Sequence, residues 1–280
     1  MHVAVASGKG GTGKTTVSVN LARAFSSRIQ LLDCDVEEPN DHLFLNGRII
    51  STEPVAVPIP KVVEARCDGC GECSRFCQYH AIVSFGTTPL VFPEMCHGCG
   101  GCVRLCPQQA IHEVANNIGV VETLQAGDIT LIQGRIDVGV AMAPPVIREA
   151  KARLHRGQHA IIDAPPGTSC PVIAAIRDTD FTILVTEPTP FGLNDLKLAV
   201  DMMQEIGQPY GVVINRVGMG DGRVHDYCNQ EGIPILAEIP DDRRIAEAYS
   251  RGCLIIDALP EYEGLFQTLI EKVAQLSKAA

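Results

Sequence analysis

No stretch of this sequence approaches eighteen consecutive apolar residues, so a membrane-spanning helix is not expected. Positive charge is scarce as well: 23 Lys and Arg stand against 33 Asp and Glu, a net charge of −10. That balance argues against general affinity for nucleic acid, while leaving room for a local basic patch. A leader of basic and then apolar residues is also missing. Met1 is followed almost at once by a strand-like run and a glycine-rich loop starting at Gly8. The expectation is a cytoplasmic chain with no nucleic-acid and no membrane partner. Otherwise the composition is ordinary for a globular protein, 46% apolar and 20% charged, and 280 residues suffice for one large or two modest domains.

Cysteine is in excess. The chain has twelve, eight of them between Cys67 and Cys106, with Cys34, Cys170, Cys228 and Cys253 scattered. Without an export signal this clustering points to metal or redox chemistry in a reducing compartment rather than to disulfides.

Apolar runs alternate with helical spacing at both ends of the chain. Val3–Ala6, Ile29–Leu32, His159–Asp163, Phe181–Thr186, Tyr210–Asn215 and Ile233–Ile239 read as strands. Thr15–Phe25, Pro144–Arg156, Asn194–Ile206, Asp241–Arg251 and Glu263–Leu276 read as helices, and Ile118–Ile136 as a hairpin or meander. Continuous apolar strands between helices predict a mostly parallel sheet covered on both faces. Pro54, Pro58 and Pro60 break the pattern before the cysteines begin. The expected organisation is an α/β domain, residues 1–61 and 114–280, interrupted by an inserted metal-binding domain, residues 62–113.

Gly8-Lys9-Gly10-Gly11-Thr12-Gly13-Lys14-Thr15 fits the G-x-x-x-x-G-K-[ST] phosphate loop, and it lies between a strand and a helix as that motif requires. Glycines let backbone N–H groups curl inward onto phosphate oxygens, and the helix that follows offers its unpaired N–H groups. Lys14 is placed to reach the β- and γ-phosphates and Thr15 to ligate Mg²⁺; Thr16 adds a candidate contact to the α-phosphate. Asp33 and Asp35 follow the second strand and Asp163 a later one. Carboxylates at the C-terminal ends of parallel strands border the ligand crevice, although each could simply cap a loop.

Lys9, a second lysine inside the loop, makes the sequence resemble the deviant Walker A family, with its K-G-G-x-G-K-T pattern. That family includes MinD, the ParA partition ATPases, nitrogenase iron protein and the Mrp/Nbp35 iron–sulfur carriers. The resemblance implies that Lys9 reaches the nucleotide of a partner copy in a nucleotide-dependent homodimer. It implies that Asp35 orients or activates the attacking water and that Asp163 acts on Mg²⁺ through water. It further implies that Gly167 senses the γ-phosphate, that Asn215 bonds the adenine edge, and that the backbone near Pro240 and Asp241 closes over the base. Lys9, Lys14, Asp35 and Asp163 are thus the candidate catalytic residues for ATP.

The cysteine segment is an internal repeat. Cys67, Cys70, Cys73 and Cys77 have the spacing C-x₂-C-x₂-C-x₃-C; Cys96, Cys99, Cys102 and Cys106 repeat it, with Pro107 after the last. This is the spacing of two-cluster ferredoxins, in which the fourth ligand of each [4Fe–4S] cube comes from the other run. Cys67, Cys70, Cys73 and Cys106 are therefore assigned to one cluster, and Cys96, Cys99, Cys102 and Cys77 to the other. Zinc is the competing reading, but four ligands per ion give no reason for the third cysteine, the x₃ gap or Pro107. Gln78 stands where the first run should carry its proline. His80 and His97 read as exposed loop residues. Cys34 and Cys170 flank the switch segments and are either redox-responsive or simply small packed residues; Cys228 and Cys253 are expected in the core.

Taken from Met1 to about Gly252, including Thr186–Gly192 and Ala246–Gly252, the chain resembles MinD-superfamily ATPases that carry an inserted ferredoxin domain. That resemblance implies slow or partner-stimulated ATP hydrolysis coupled to electron transfer, with a redox or iron–sulfur client protein. An electron carrier gated by ATP binding and a cluster-delivery scaffold are the alternatives. Membrane anchoring as in MinD is disfavoured, because Phe266–Leu276 lacks a basic face.

Overall fold

Strands and helices alternate from the first residues onward. The computed structural model describes residues 1–86 and 88–279; Thr87, within the expected insert, and Ala280 lie outside the described residues. β1 (His2–Ala6), α1 (Lys14–Ala24) and β2 (Ile29–Asp33) follow one another directly. β3 (Arg48–Val62) leads into the cysteine segment, which holds α2 (Glu72–Phe76), the antiparallel pair β4 (Ile82–Ser84) and β5 (Pro89–Val91), and α3 (Gly101–Leu105). The chain returns through β6 (Ile111–Ala126) and turns at Gly127 into β7 (Ile129–Ile136). α4 (Ala143–Ala152), β8 (His159–Asp163), α5 (Cys170–Ile176), β9 (Phe181–Thr186), α6 (Pro190–Ile206) and β10 (Tyr210–Val217) come next. α7 (Arg223–Gln230), β11 (Ile235–Pro240), α8 (Arg243–Ser250), α9 (Ile255–Ala258) and α10 (Glu263–Ala279) complete the fold.

Nine strands form one sheet in the order β11-β10-β9-β1-β8-β2-β7-β6-β3. Every neighbouring pair from β11 to β7 is parallel, and β6 pairs antiparallel with both β7 and β3. Successive residues of the central strands fall on opposite faces, and both faces are packed. Ala4, Leu32, Ile162 and Leu184 join the core beneath α4, α5 and α6. Val3, Val5, Leu31, Ile161 and Ile183 join the core that includes Leu21 of α1 and Phe266 and Leu269 of α10. Double coverage is why these strands read as unbroken apolar runs rather than alternating ones. The α/β architecture with a mostly parallel sheet is the one the sequence predicts.

Outside the cysteine segment, one strand and three helices differ from the sequence expectation. The proline stretch is not a break: β3 runs through Pro54, Pro58 and Pro60 as the edge strand, where a missing N–H costs no ladder bond. β3 and β6 pair from Arg48↔Gln125 to Val62↔Ile111 with register shifts between Ile49 and Ser51 and between Val55 and Ala56, and beyond the end of β7 residues 56–62 and 111–117 continue as a two-stranded stem under the cysteine segment. α5, α7 and α9 are additional helices. α5 has only seven residues and opens on Cys170-Pro171, too short for a period to register; Pro at its first turn suits a helix start.

Candidate functional site

The crevice outside the C-terminal ends of β1, β2 and β8 gathers the nucleotide-type residues. The crossover from β1 runs past β8 to β2, whereas the crossover from β8 runs past β1 to β9, and such a switch point between β1 and β8 opens a binding crevice. The loop from Ser7 to Gly13 joins β1 to α1. Gly13 has φ of +95°, and a Cβ there would come within 2.2 Å of Asn215 Nδ2, so only glycine fits. Asn215 Nδ2 donates to the Thr12 carbonyl at 2.8 Å, and its Oδ1 accepts from the Arg216 N–H. In this conformation Asn215 braces the loop with one amide N–H and keeps the other. Lys14 is buried at the start of α1, and Thr15 Oγ1 donates to Asp163 Oδ2 at 2.8 Å. Thr16 is buried on the same turn. Gly167, at φ of +97°, donates its N–H to the Ser7 carbonyl at 3.0 Å, which ties the segment after Asp163 to the start of the loop. Pro240 is exposed at the end of β11, two strands beyond β9.

Carboxylates crowd behind the loop. Asp33 is fully buried and accepts the backbone N–H groups of Asp35, Asn40 and Asp41 at 2.9–3.2 Å. Those bonds fold residues 34–41 back on themselves, hold Asp35 half-buried at the crevice, and bring Asp41 into the interior. Both Asp41 oxygens, Asp163 Oδ1 and Thr12 Oγ1 are buried without a hydrogen-bond donor or acceptor. Unmatched buried polar atoms are rare in folded proteins, and the Asp41 and Asp163 carboxyls face each other beside Lys14 and Thr15, where a cation would give their oxygens a partner. Asp41 carries no sequence signal of this role; it follows only from the turn that Asp33 builds.

Burial, reinforced by Asp163, pushes the Asp33 carboxyl up to about 8. Burial likewise raises Asp41, which also faces Asp33 and Asp163, and raises Asp163 against the pull of Lys14. Asp35 is raised by burial too, with Lys14 opposing. The folded, metal-free chain therefore keeps protons that the unfolded chain releases near its ordinary carboxylate pKa of about 4. Stability contributed this way is complete below about 4 and is lost as pH climbs toward 8. Protein stripped of metal should melt at progressively lower temperature from pH 6 to pH 8. The slope is about 1.4 kcal/mol per pH unit for each retained proton. Mg²⁺ with ADP should flatten the trend. A melting temperature that rises over this range in chelator would contradict the buried-carboxyl account.

Lys9 is not free. Its ammonium lies 2.7 Å from Glu187 Oε1, and Arg216 Nη1 lies 3.2 Å from Glu187 Oε2. Glu187, at the end of β9, thus ties the loop lysine to the end of β10 within one chain.

The eight clustered cysteines sort into two cavities. One is lined by Cys67, Cys70, Cys73 and Cys106, with Pro89 and Ile111. The other is lined by Cys77, Cys96, Cys99 and Cys102, with Phe76 and Ile82. Each cavity draws three cysteines from one run and the last from the other. Gly69, Gly71, Gly98 and Gly100 all have positive φ, so the backbone doubles back around each cavity. A Cβ on Gly101 would lie 2.0 Å from the Phe76 ring, which locks the two runs against each other. Cys106 Sγ accepts the Ala110 N–H at 3.2 Å. Burial raises the Cys73 and Cys96 thiols and pushes Cys102 up to about 11. Among the described residues, no three His, Cys, Asp or Glu side chains close around a single metal ion. His80 and His97 are exposed as expected, and His97 stacks on Tyr79 with centroids 3.6 Å apart. Cys34 and Cys228 are buried, while Cys170 is exposed. Cys253 is exposed rather than in the core, because it sits on the turn between α8 and α9.

A glycine loop joining β1 to α1, a buried lysine and a threonine bonded to a strand-end aspartate define a nucleotide-binding P-loop protein. The family model described as the CobQ/CobB/MinD/ParA nucleotide-binding domain matches residues 3–255. This chain belongs to that family of P-loop ATPases. An uncharacterized protein of Methanocaldococcus jannaschii, MJ0578, is 30% identical, covering 98% of this chain and 97% of its own length. A protein of Aquifex aeolicus named iron-sulfur cluster carrier protein is 26% identical, covering 93% of this chain and 63% of its own length. The cell division ATPase MinD of Pyrococcus furiosus shares the fold, with TM-score 0.61, 21% identity and 98% of each chain covered. Among the described residues no helix is long and apolar enough to cross a membrane.

Proposed function

We propose that this chain hydrolyses ATP at its glycine loop and couples nucleotide state to electron transfer through two [4Fe–4S] clusters held by residues 62–113. One observation carries the iron–sulfur half: the eight cysteines divide between two cavities in the three-plus-one exchange that paired clusters require. The donor set fits, being all thiol, with glycine backbone around it and apolar side chains beside it. Cys67, Cys70, Cys73 and Cys106 would hold one cluster and Cys77, Cys96, Cys99 and Cys102 the other. Bound clusters supply one-electron redox chemistry.

At the ATP site, Lys14 neutralises β- and γ-phosphate charge, and Thr15 with Asp163 holds Mg²⁺. Asp35 stands at the crevice to orient water. Asp33 fixes the backbone that carries Asp35, so it positions rather than reacts. Release of Gly167 from the Ser7 carbonyl would free its N–H for the γ-phosphate. Cytoplasmic residence and a redox or iron–sulfur client complete the reading.

The nucleotide-dependent homodimer belongs to the same proposal. Lys9 must leave Glu187 before it reaches a partner's nucleotide. Glu187→Gln should therefore lower the ATP concentration that half-dimerises the protein by roughly threefold, the scale of a partly exposed ion pair. Sedimentation velocity across an ATP series reads this, and an unchanged midpoint counts against the latch.

The name of the Aquifex relative favours a second reading, delivery of clusters to an acceptor. Anaerobically purified protein separates the two. Reduced protein should give [4Fe–4S] electron paramagnetic resonance signals whose form or potential changes with Mg²⁺–ATP, and it should release phosphate from ATP. Loss of iron to an apo-acceptor with no such change would support delivery instead. Protein without iron or sulfide after anaerobic reconstitution would end both readings.

A further inference from the structure

A large open cavity lies away from both the nucleotide crevice and the cysteine cavities' interiors, between α4 and α5. Its floor is apolar, built from Pro144, Pro145, Leu154 and Ile173. Its rim carries Arg148, Arg156 and Arg177, all exposed. Among the described residues, none of these three guanidinium groups pairs with a carboxylate. Lys151 is committed elsewhere: its ammonium donates to the carbonyls of Ala174, Ala175 and Arg177 at the end of α5. Asp180, one of two acids on the rim, is taken by the His2 N–H at 2.7 Å and the Met1 ammonium at 3.9 Å. Asp178 is the one rim carboxylate left against three free guanidinium groups. In a chain of net charge −10 this is a local inversion of sign.

The two walls of this groove connect to the two chemistries. α5 begins at Cys170, directly after the segment that runs from Asp163 through Gly167. The opposite wall is the stacked pair Tyr79 and His97, and both residues also line the cavity of Cys77, Cys96, Cys99 and Cys102. A ligand in the groove would thus touch an element rooted in the nucleotide switch on one side and the partition of a cysteine cavity on the other.

We propose that this groove is a binding site for a small organic anion, a flat apolar body bearing carboxylate or phosphate-like groups. The apolar body lies on Pro144, Pro145 and Ile173. The anionic groups pair with Arg148, Arg156 and Arg177, whose planar forks match such oxygens. Concave apolar sites with a few convergent polar groups are where small ligands bind. The binding itself does not depend on the proposed function, because none of these residues is a nucleotide contact or a cysteine ligand.

The test uses the full chain, saturated with Mg²⁺–ADP so that the nucleotide crevice is filled. The probe is anilinonaphthalene sulfonate, an apolar-bodied anion; the control is neutral phenylnaphthylamine, the same body without charge. The sulfonate should bind saturably, and the double substitution Arg148→Ala, Arg177→Ala should weaken it about tenfold, as expected for lost charge-assisted hydrogen bonds. Lysine at both positions should restore only part of the affinity, because an ammonium keeps the charge without the planar fork, and the neutral control should hardly respond to either change. A second readout needs no variant: bound sulfonate should slow alkylation of Cys170, which lines the groove, by N-ethylmaleimide, and leave exposed Cys253 unaffected. Equal sulfonate affinity in the double alanine variant, or full Cys170 reactivity with the dye bound, would overturn the assignment.

Discussion

Replacing Lys14 with alanine should lower ATP turnover by about 10²–10³-fold, the cost of removing one preorganised charge from a phosphoryl-transfer site. The size follows from the surroundings. Lys14 is the buried cation that pulls against the raised carboxyls of Asp35, Asp41 and Asp163. Without it the phosphates lose their nearest positive charge and the aspartates hold their protons more tightly. Mg²⁺ should therefore bind more weakly in the variant, and the loss of turnover should be larger at pH 6 than at pH 8. Phosphate release and calorimetric titration of Mg²⁺–ADP measure the two effects separately. Turnover within a factor of three of the unaltered chain would remove Lys14 from the chemistry and the phosphate loop from the ATPase.

The second large effect concerns iron. Cys106→Ala should empty the cavity that also holds Cys67, Cys70 and Cys73, taking iron from about eight to about four atoms per chain. Cys77→Ala should do the same to the other cavity. Pairs of substitutions test the exchange between runs. Cys106→Ala with Cys67→Ala should lose no more iron than either alone, because both act on one site. Cys106→Ala with Cys96→Ala should lose both complements, although the two residues belong to the same run. If iron instead followed the runs, with Cys106 and Cys96 acting together, the assignment of ligands would be wrong.

Legibility in the sequence tracked the range of the physics. The phosphate loop was readable because its geometry is local: glycine at position 13 and the lysine after it constrain a few consecutive residues. The cysteine runs were readable for the same reason, and the cavities group the eight cysteines as the two-run spacing leads one to expect. The strands of the double-covered sheet announced themselves as apolar runs. By contrast, β3 was hidden by its prolines, whose acceptance depends on being at an edge, a property of the finished sheet. Asp41 was hidden because the three N–H groups that Asp33 accepts decide where it goes. The Lys9–Glu187 tie joins residues 178 positions apart, and nothing near either marks it. The bond from Asn215 to the Thr12 carbonyl was likewise not legible, since it spans 203 positions.

The long stem of β3 and β6 does not hold its cysteine-bearing end at arm's length. Ile59, Ala81 and Cys96 belong to the same packed core as Val146 and Ile147 of α4 and Ala175 of α5. Close-packed interiors transmit strain rather than absorb it. The cysteine-bearing end and the sheet are therefore joined through one packed core. Filling or emptying the cavity beside Cys96 should alter how tightly one whole face of the sheet is held, so that occupancy of that cavity becomes mechanical stiffness.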